Sequence, residues 1–532
     1  MSLDNISLID GSTNNSDSTL TAPIQDPKLK HIGFLFYASL AYCVFYTICM
    51  YRTMNGITFP IMVAGSLLMI YLFLKNYGIK LKTSSIFYAA SILLLAVNTF
   101  TTNDINIVVF DYIGILLLLI TGLVNAACDD KKWGFADYFI IGNCIGWGSF
   151  VHWVDMIPKF ISYSKQYESN GKNKTVKYVL LGIVIAIPLL VVVLLLLSSA
   201  DLVFGDMLSS IFDGLTFGDV IGIFFTLLFS FAGCFALLER CIDKLPERSE
   251  KDRRKAEPVV AITFCSLLAI VYLLFSVIQV LYLFIGNMQL PENYTYAQYA
   301  RQGFFQLLAV CILNLFIVLL CTYLFKNNIV LKIILTVISC CTYIMIASSA
   351  MRMFMYINVY LLTELRIIVL WGLITLSILL AGICIYIFKH NFPLFRYMTV
   401  VVTILFLVLA FSHPQRIVAE FNLSRALESN ANPEALYDDP TILKYRVTDF
   451  HYLSNLSSDV TPVFEKYEPY LSNLYNNDVP EQTFIDRCFY RNPNSISYTK
   501  DFRKFNLSRN AMRRYYLKCN PELLDTSKNQ SN

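Results

Sequence analysis

The sequence predicts an all-α protein: a multi-pass transmembrane helical bundle of about eleven spans, followed by a small, mostly helical C-terminal domain on the far side of the membrane. Three observations predict it. Of 532 residues, 56% are apolar and 15% charged, whereas a soluble domain carries about 25% charged residues, and the mean hydropathy is +0.55. Apolar runs of the roughly 18 residues needed to cross about 30 Å of hydrocarbon recur along the chain. Lysine and arginine gather in alternate connections between those runs, as the topology of membrane helices requires.

Taken in order, residues 1–31 are rich in Ser, Asn, Asp and Thr with no apolar core, so they predict a disordered cytoplasmic arm rather than a signal peptide. The next block, 32–127, holds four spans near 32–51, 56–74, 84–102 and 105–127. Residues 128–177 form a basic cytoplasmic or interfacial segment. Within it, 136–154 is long enough to cross, but crossing would invert everything before it and move Lys75, Lys80 and Lys82 to the other side. An interfacial or re-entrant helix with Trp147 and Trp153 at headgroup depth is therefore expected. Block 178–413 holds seven more spans, near 178–200, 217–239, 259–286, 303–325, 329–351, 367–388 and 394–412.

Counting Lys and Arg in alternate connections, and leaving out the tail, gives 23 on one side and four (Arg52, Arg301, Arg352, Arg366) on the other. Lysine-rich loops stay in the cytoplasm, which places the N-terminus inside and, after eleven spans, residues 414–532 outside. That tail divides its charge: 414–486 carries a net −7 and 487–532 a net +7, so its basic end is expected to fold back on the acidic part. Cys488 and Cys519 are the tail's two cysteines. In an oxidising compartment they are candidates for a disulfide closing a loop of about 30 residues; two buried thiols are the alternative. Phe-Asn-Leu-Ser-Arg occurs at 421–425 and again at 505–509, too short a match to define a repeat.

Five blocks of residues carry a family resemblance. They are Ser198-Ser-Ala-Asp-Leu-Val-Phe204, Tyr299-Ala-Arg-Gln-Gly-Phe-Phe-Gln-Leu307, the stretch Arg352 to Arg366, Ile417-Val-Ala-Glu-Phe-Asn-Leu-Ser-Arg425, and Asp449 to Asp459 with Pro462. Together they resemble, over about residues 178–465, a family of bacterial polytopic membrane proteins known as a domain of unknown function. Its number is four-one-seven-three, with a relative numbered four-one-five-three. The resemblance implies a bacterial plasma membrane and about this many spans; it implies no activity, cofactor or catalytic residue.

Chemistry-bearing side chains concentrate at the outer ends of the spans. Asp111 lies about six residues inside the fourth span; Asp201 and Asp206, with Asp213 and Asp219, follow the fifth; Arg301, Arg352, Glu364 and Arg366 border the eighth to tenth; Arg416 opens the tail. One reading is an outward-facing polar vestibule where these arginines meet the aspartates, an anionic lipid headgroup or a small anionic ligand. The other is a set of snorkelling anchors and helix caps. No residues are spaced for a metal or a cofactor, and the small, scattered net charge of +4 argues against nucleic acid. There is no His-Glu-x-x-His, Gly-x-Ser-x-Gly or phosphate-cradling glycine loop, and the first outer loop, 51–57, lacks the acids a membrane glycosyltransferase needs. What the sequence supports first is a structural, sensory or assembly membrane protein. A transporter or a lipid- or anion-handling protein is the alternative.

Overall fold

The structure is a computed structural model in which residues 27–53, 55–127, 133, 135–151, 217–242, 254–281, 296–431, 452–478 and 501–519 are described, with isolated positions between 182 and 204. Fourteen α-helices fill these stretches. The first six are α1 (Pro27–Met50), α2 (Thr58–Asn76), α3 (Ser84–Thr101), α4 (Ile105–Ala127), α5 (Phe135–Val151) and α6 (Phe217–Ile242). Then come α7 (Pro258–Gln279), α8 (Tyr296–Leu324), α9 (Ile329–Tyr360), α10 (Glu364–Phe388) and α11 (Leu394–Phe411). The tail contributes α12 (Pro414–Ala431), α13 (Thr461–Asp478) and α14 (Leu507–Cys519), with short 3-10 turns at Ser458–Val460 and Phe502–Lys504.

Ten of the described helices, α1–α4 and α6–α11, are long and apolar enough to cross a membrane. The expected span 178–200 lies outside the described residues. Each run is helical because lipid offers backbone groups no other partner. Two caps show how the ends are fixed. Asn328 accepts from the Val330 and Leu331 N–H groups at the start of α9, and Pro258 opens α7, where its missing N–H costs nothing. Successive spans reverse, so the bundle has a lysine end and a tail end. Helix α4 finishes at the former and α6 begins at the latter, where Tyr51 and Arg52 reach Asp219.

Among the described residues, the contacts shown for helix α5 lie near the lysine end. It packs on Leu119, Leu123 and Val124 of α4, Leu237 and Cys241 of α6, and Phe395, whose ring stacks on Tyr138 at 3.8 Å. Arg240 Nε donates to the Cys144 carbonyl at 3.3 Å. A helix of 17 residues is about 25 Å long, yet it meets less than two turns of α4.

Helices α1–α4 and α6 form one group, and α7–α10 another. Helix α11 joins them, burying Leu409 and Ala410 against Ile107 of α4 with Ile367 and Trp371 of α10 alongside. Close approach at the second group depends on Gly382, where a Cβ would fall 2.1 Å from the Tyr397 ring. The tail is not a separate lobe. Val418, Leu423, Leu453, Phe464, Met512 and Tyr515 share one continuous core with Phe304, Met353 and Leu373 of the spans. The basic α14 lies against α13, and the contact is made mainly by this apolar surface. Opposite net charges so close to water add little.

A candidate functional site where the tail meets the bundle

The connection Thr102-Asn-Asp104 between α3 and α4 is where the tail docks. Asp104 sits at the start of α4, its Oδ1 accepting from the Asn106 N–H at 3.0 Å and its carbonyl from the Val108 N–H at 3.0 Å, the pattern of an aspartate N-cap. The other oxygen, Oδ2, is buried and has no hydrogen-bond partner among the described residues. Glu364, at the start of α10, is held by Asn106 Nδ2 at 2.8 Å and Gln415 Nε2 at 2.7 Å, and its N–H donates to the Tyr452 hydroxyl at 3.1 Å.

Asp459 completes the group from the tail. Its carboxylate accepts from the hydroxyls of Thr102 and Ser508 and from the Asn103 N–H at 2.8 Å, with His413 Nδ1 at 3.3 Å. Thr102 Oγ1 in turn accepts from the Asp104 N–H at 3.1 Å, which ties the two acids together. Below them Asp111, seven residues along the same helix face, accepts from Asn98 Nδ2 at 2.7 Å, while its Oδ1 is buried without a partner among the described residues. Four buried carboxylates thus gather where tail and spans meet.

Their environments differ. Burial pushes the Asp104 carboxyl up to about 7, helped by the charges of Glu364 and Asp459 and opposed by the α4 N–H groups. Burial acts on Asp459 in the same direction, but the hydrogen bonds from His413, Ser508, Thr102 and Asn103 outweigh it and hold that group below the usual carboxylate range. Of the two acids tied through Thr102, Asp104 is thus the one whose carboxyl is raised toward neutrality and Asp459 the one held ionised. Among the described residues no group of His, Cys, Asp and Glu is arranged to hold a metal ion.

The remaining latches are asparagines gripping backbone. Asn422 is bidentate to Leu362, accepting from its N–H at 2.9 Å and donating to its carbonyl at 3.0 Å. Asn506 donates to the Thr102 carbonyl at 2.9 Å and to Thr99 at 3.3 Å. These are the second residues of the two Phe-Asn-Leu-Ser-Arg copies, and each ties the tail to the end of a span.

Of the residues expected to converge, Glu364 and Asp111 belong to this cluster, and the hydrogen bonds shown for Arg366 and Arg352 go to other groups. Arg366 turns back on its own chain, donating to the Tyr360 carbonyl at 2.7 Å and to that of Leu361, over the Tyr356 ring; it caps the C-terminus of α9, where a cation suits the helix dipole. Arg352 falls inside α9, because that helix runs nine residues beyond the expected 351, and donates to Gln279 Oε1 at 3.3 Å beside Ser348. Arg416 and Asp201 are exposed. Arg301 lies on α8 with its side chain outside the described residues, as are Asp206 and Cys488, and with Cys488 the proposed pair to Cys519. The Cys519 thiol donates to Glu468 Oε1 at 3.7 Å.

Sequence reasoning missed Asp104, His413 and the docking role of Asp459. The available signal was Thr101-Thr-Asn-Asp104, a capping sequence between two spans in a connection free of lysine. A cleft of about 530 Å³ lies away from this cluster, among α1, α2, α4 and α6, lined by Tyr46, Met69, Phe225, Phe229 and Gly233.

No curated protein and no solved structure matches the chain. A family model does match, over residues 89–467. The number expected from the motifs, four-one-seven-three, is corrected to that of the relative, four-one-five-three. The match also starts well before residue 178, taking in most of α3 and all of α4, so that Asp104, Glu364 and Asp459 fall within it while Asn506 and Ser508 do not. As the match covers more than half of the chain, the protein belongs to the family described as Domain of unknown function (DUF4153).

Proposed function

We propose that this integral membrane protein is a sensory or assembly protein of a bacterial plasma membrane, with its N-terminus in the cytoplasm, whose exported tail is clasped to the spans by a carboxylate cluster that responds to external pH. The observation that carries the reading is the buried, unpartnered Oδ2 of Asp104 at the junction of tail and bundle. The groups facing it are Glu364 from α10, Asp459 from the tail, His413 between α11 and α12, and Asp111 from α4. With a proton on Asp104 the cluster loses one negative charge; without it, Asp104 adds its charge to the buried carboxylates around it and the tail is pushed away. The 23-to-4 distribution of Lys and Arg supports the outward placement of the tail.

Hydrogen exchange on the full-length protein in nanodiscs tests this. Protection factors of α13 and α14, corrected for the base-catalysed intrinsic rate, are lower at pH 8 than at pH 6, and Asp104→Asn removes the difference. Equal protection at both pH values overturns the reading. A reporter fused after Asn532 and active only in the cytosol overturns the sidedness alone.

The 530 Å³ cleft favours a second reading, a lipid-handling protein. A Cβ at Gly233 would meet nothing within 4 Å, so Gly233→Phe fills the space, and unchanged lipid co-purification would remove that reading.

A further inference from the structure

The turn that leads into α14 presents apolar side chains outward where a soluble domain would bury them. Phe502 is 72% exposed, and Phe505 and Leu507 are also exposed. Their height relative to the membrane is fixed by contacts with the spans. Arg503 Nη1 donates to the carbonyl of Ile48, in the last turn of α1, at 2.9 Å. The Ile57 N–H donates to the Phe505 carbonyl at 2.9 Å, and the Phe505 ring lies 6.1 Å from that of Phe100, at the end of α3. A Cβ on Gly56 would fall 1.8 Å from the Arg503 carbonyl oxygen, so the segment is seated tightly on the α1–α2 loop.

Ile48 is itself 62% exposed, on the lipid-facing surface of α1. The exposed apolar side chains of residues 502–507 continue that surface beyond the ends of the spans. Helix α14 then turns Ser508, Met512 and Tyr515 into the core. Residues 507, 514 and 518 fall on a different stripe, at i, i+7 and i+11, where Arg514 and Lys518 are exposed. An apolar tip followed by basic positions is the arrangement of a segment that lies in a headgroup layer.

We propose that residues 502–507 and the basic stripe of α14 form a membrane-surface anchor, with Phe502 and Leu507 in the boundary between headgroups and chains and Arg514 and Lys518 on the phosphates of anionic lipid. The anchor does not depend on which side of the membrane the tail faces, nor on the response to pH, so it can fail without that reading failing.

The test uses full-length protein in nanodiscs of phosphatidylcholine, with or without phosphatidylglycerol, and lipids brominated along the chain. Phe502→Trp adds an emission above that of the four native tryptophans. The added emission is blue-shifted and loses about half its intensity to brominated lipid, as an interfacial indole does. Quenching deepens when phosphatidylglycerol is present, and Arg514→Gln with Lys518→Gln abolishes that increment. An added emission at the wavelength of a solvated indole, unquenched by either lipid, overturns the anchor. Equal quenching in both lipids overturns the preference of Arg514 and Lys518 for anionic lipid.

Discussion

The two ends of the bundle handle charge in opposite ways. At the lysine end Asp137 is buried and Arg240 bonds the Cys144 carbonyl, but the described ion pair is solvated. Lys326 and Glu257 form a surface ion pair with both side chains more than half exposed, and a glycine, Gly78, supplies the turn with positive φ. At the tail end the carboxylates of Asp104, Glu364 and Asp459 are buried. The three described non-glycine residues with positive φ are there as well: Arg52 at 58°, Leu361 at 60° and His413 at 50°. Such a conformation costs an L-residue about 1–2 kcal/mol and persists where surroundings impose it. The lysine end needs only the sign and number of its charges to set topology. The tail end is specified by contacts made one atom at a time.

That contrast is broken most severely at Asp459. Asp459→Ala leaves the Thr102 and Ser508 hydroxyls and the Asn103 N–H without their buried acceptor, and should cost the clasp about 3–5 kcal/mol. Hydrogen exchange of α13 and α14 would rise by two orders of magnitude or more while α7–α10 stay protected. Uniform loss of protection along the chain would mean that tail and bundle are a single cooperative unit.

Next in size are the paired asparagines. Asn506→Ala and Asn422→Ala each strand buried backbone groups, at about 1–3 kcal/mol. Asn506→Ala should free α14, and Asn422→Ala the α9–α10 turn, each read as local amide exchange. Identical exchange patterns for the two variants would deny them separate latches.

Most spans were legible because the signal is local: an apolar run of sufficient length needs no partner to be recognised. The clasp was not, because its partners lie far apart in the chain; Thr102 and Asp459 are separated by 357 residues. Charge pattern left open whether the outer-end arginines meet aspartates or an anionic group, or serve as anchors and helix caps. In the structure helix ends come first. Arg366 satisfies the orphan carbonyls of α9, a demand every helix makes; Asp219 does meet an arginine, Arg52, but Glu364 and Asp111 are met by side-chain amides that carry no charge signature. The short Phe-Asn-Leu-Ser-Arg match was likewise uninformative until each asparagine could be seen gripping a span end.

The pH response at Asp104 comes next and has a definite sign. A carboxyl whose folded pKa is raised from its ordinary 3.8 to about 7 holds a proton that the undocked tail would release. Docking therefore weakens as pH rises through that window, by at most about 1.4 kcal/mol per pH unit. Asp459 works in reverse: its contribution is present above the ordinary carboxylate range and is lost as pH falls through its depressed value. The clasp is tightest near the ordinary carboxylate range, about pH 4. Asp104→Asn keeps the cap, since Asn is as good an N-cap as Asp, and removes the charge. The expected result is greater protection than wild type at both pH 6 and pH 8, with the larger excess at pH 8. A variant that weakens the tail equally at both would assign Asp104 to capping alone.

The smallest effects make the sharpest comparison, because they set one ion pair from each end side by side. Arg52 is 60% exposed, but its partner Asp219 is 5% exposed and also accepts from the Tyr51 hydroxyl at 2.8 Å. Lys326 and Glu257 are 53% and 66% exposed. Arg52→Gln leaves a buried carboxylate with one donor fewer and should cost about 1 kcal/mol, read as faster exchange in the first turns of α6. Lys326→Gln exchanges one solvated partner for another and should stay within about 0.5 kcal/mol. Raising ionic strength to about 1 M, where screening reaches ~3 Å, should erase the effect of Lys326→Gln and leave that of Arg52→Gln. If salt erased both, the tail end would be held by the same solvent-screened charge as the lysine end, and the distinction between a counted end and a fitted end would not stand.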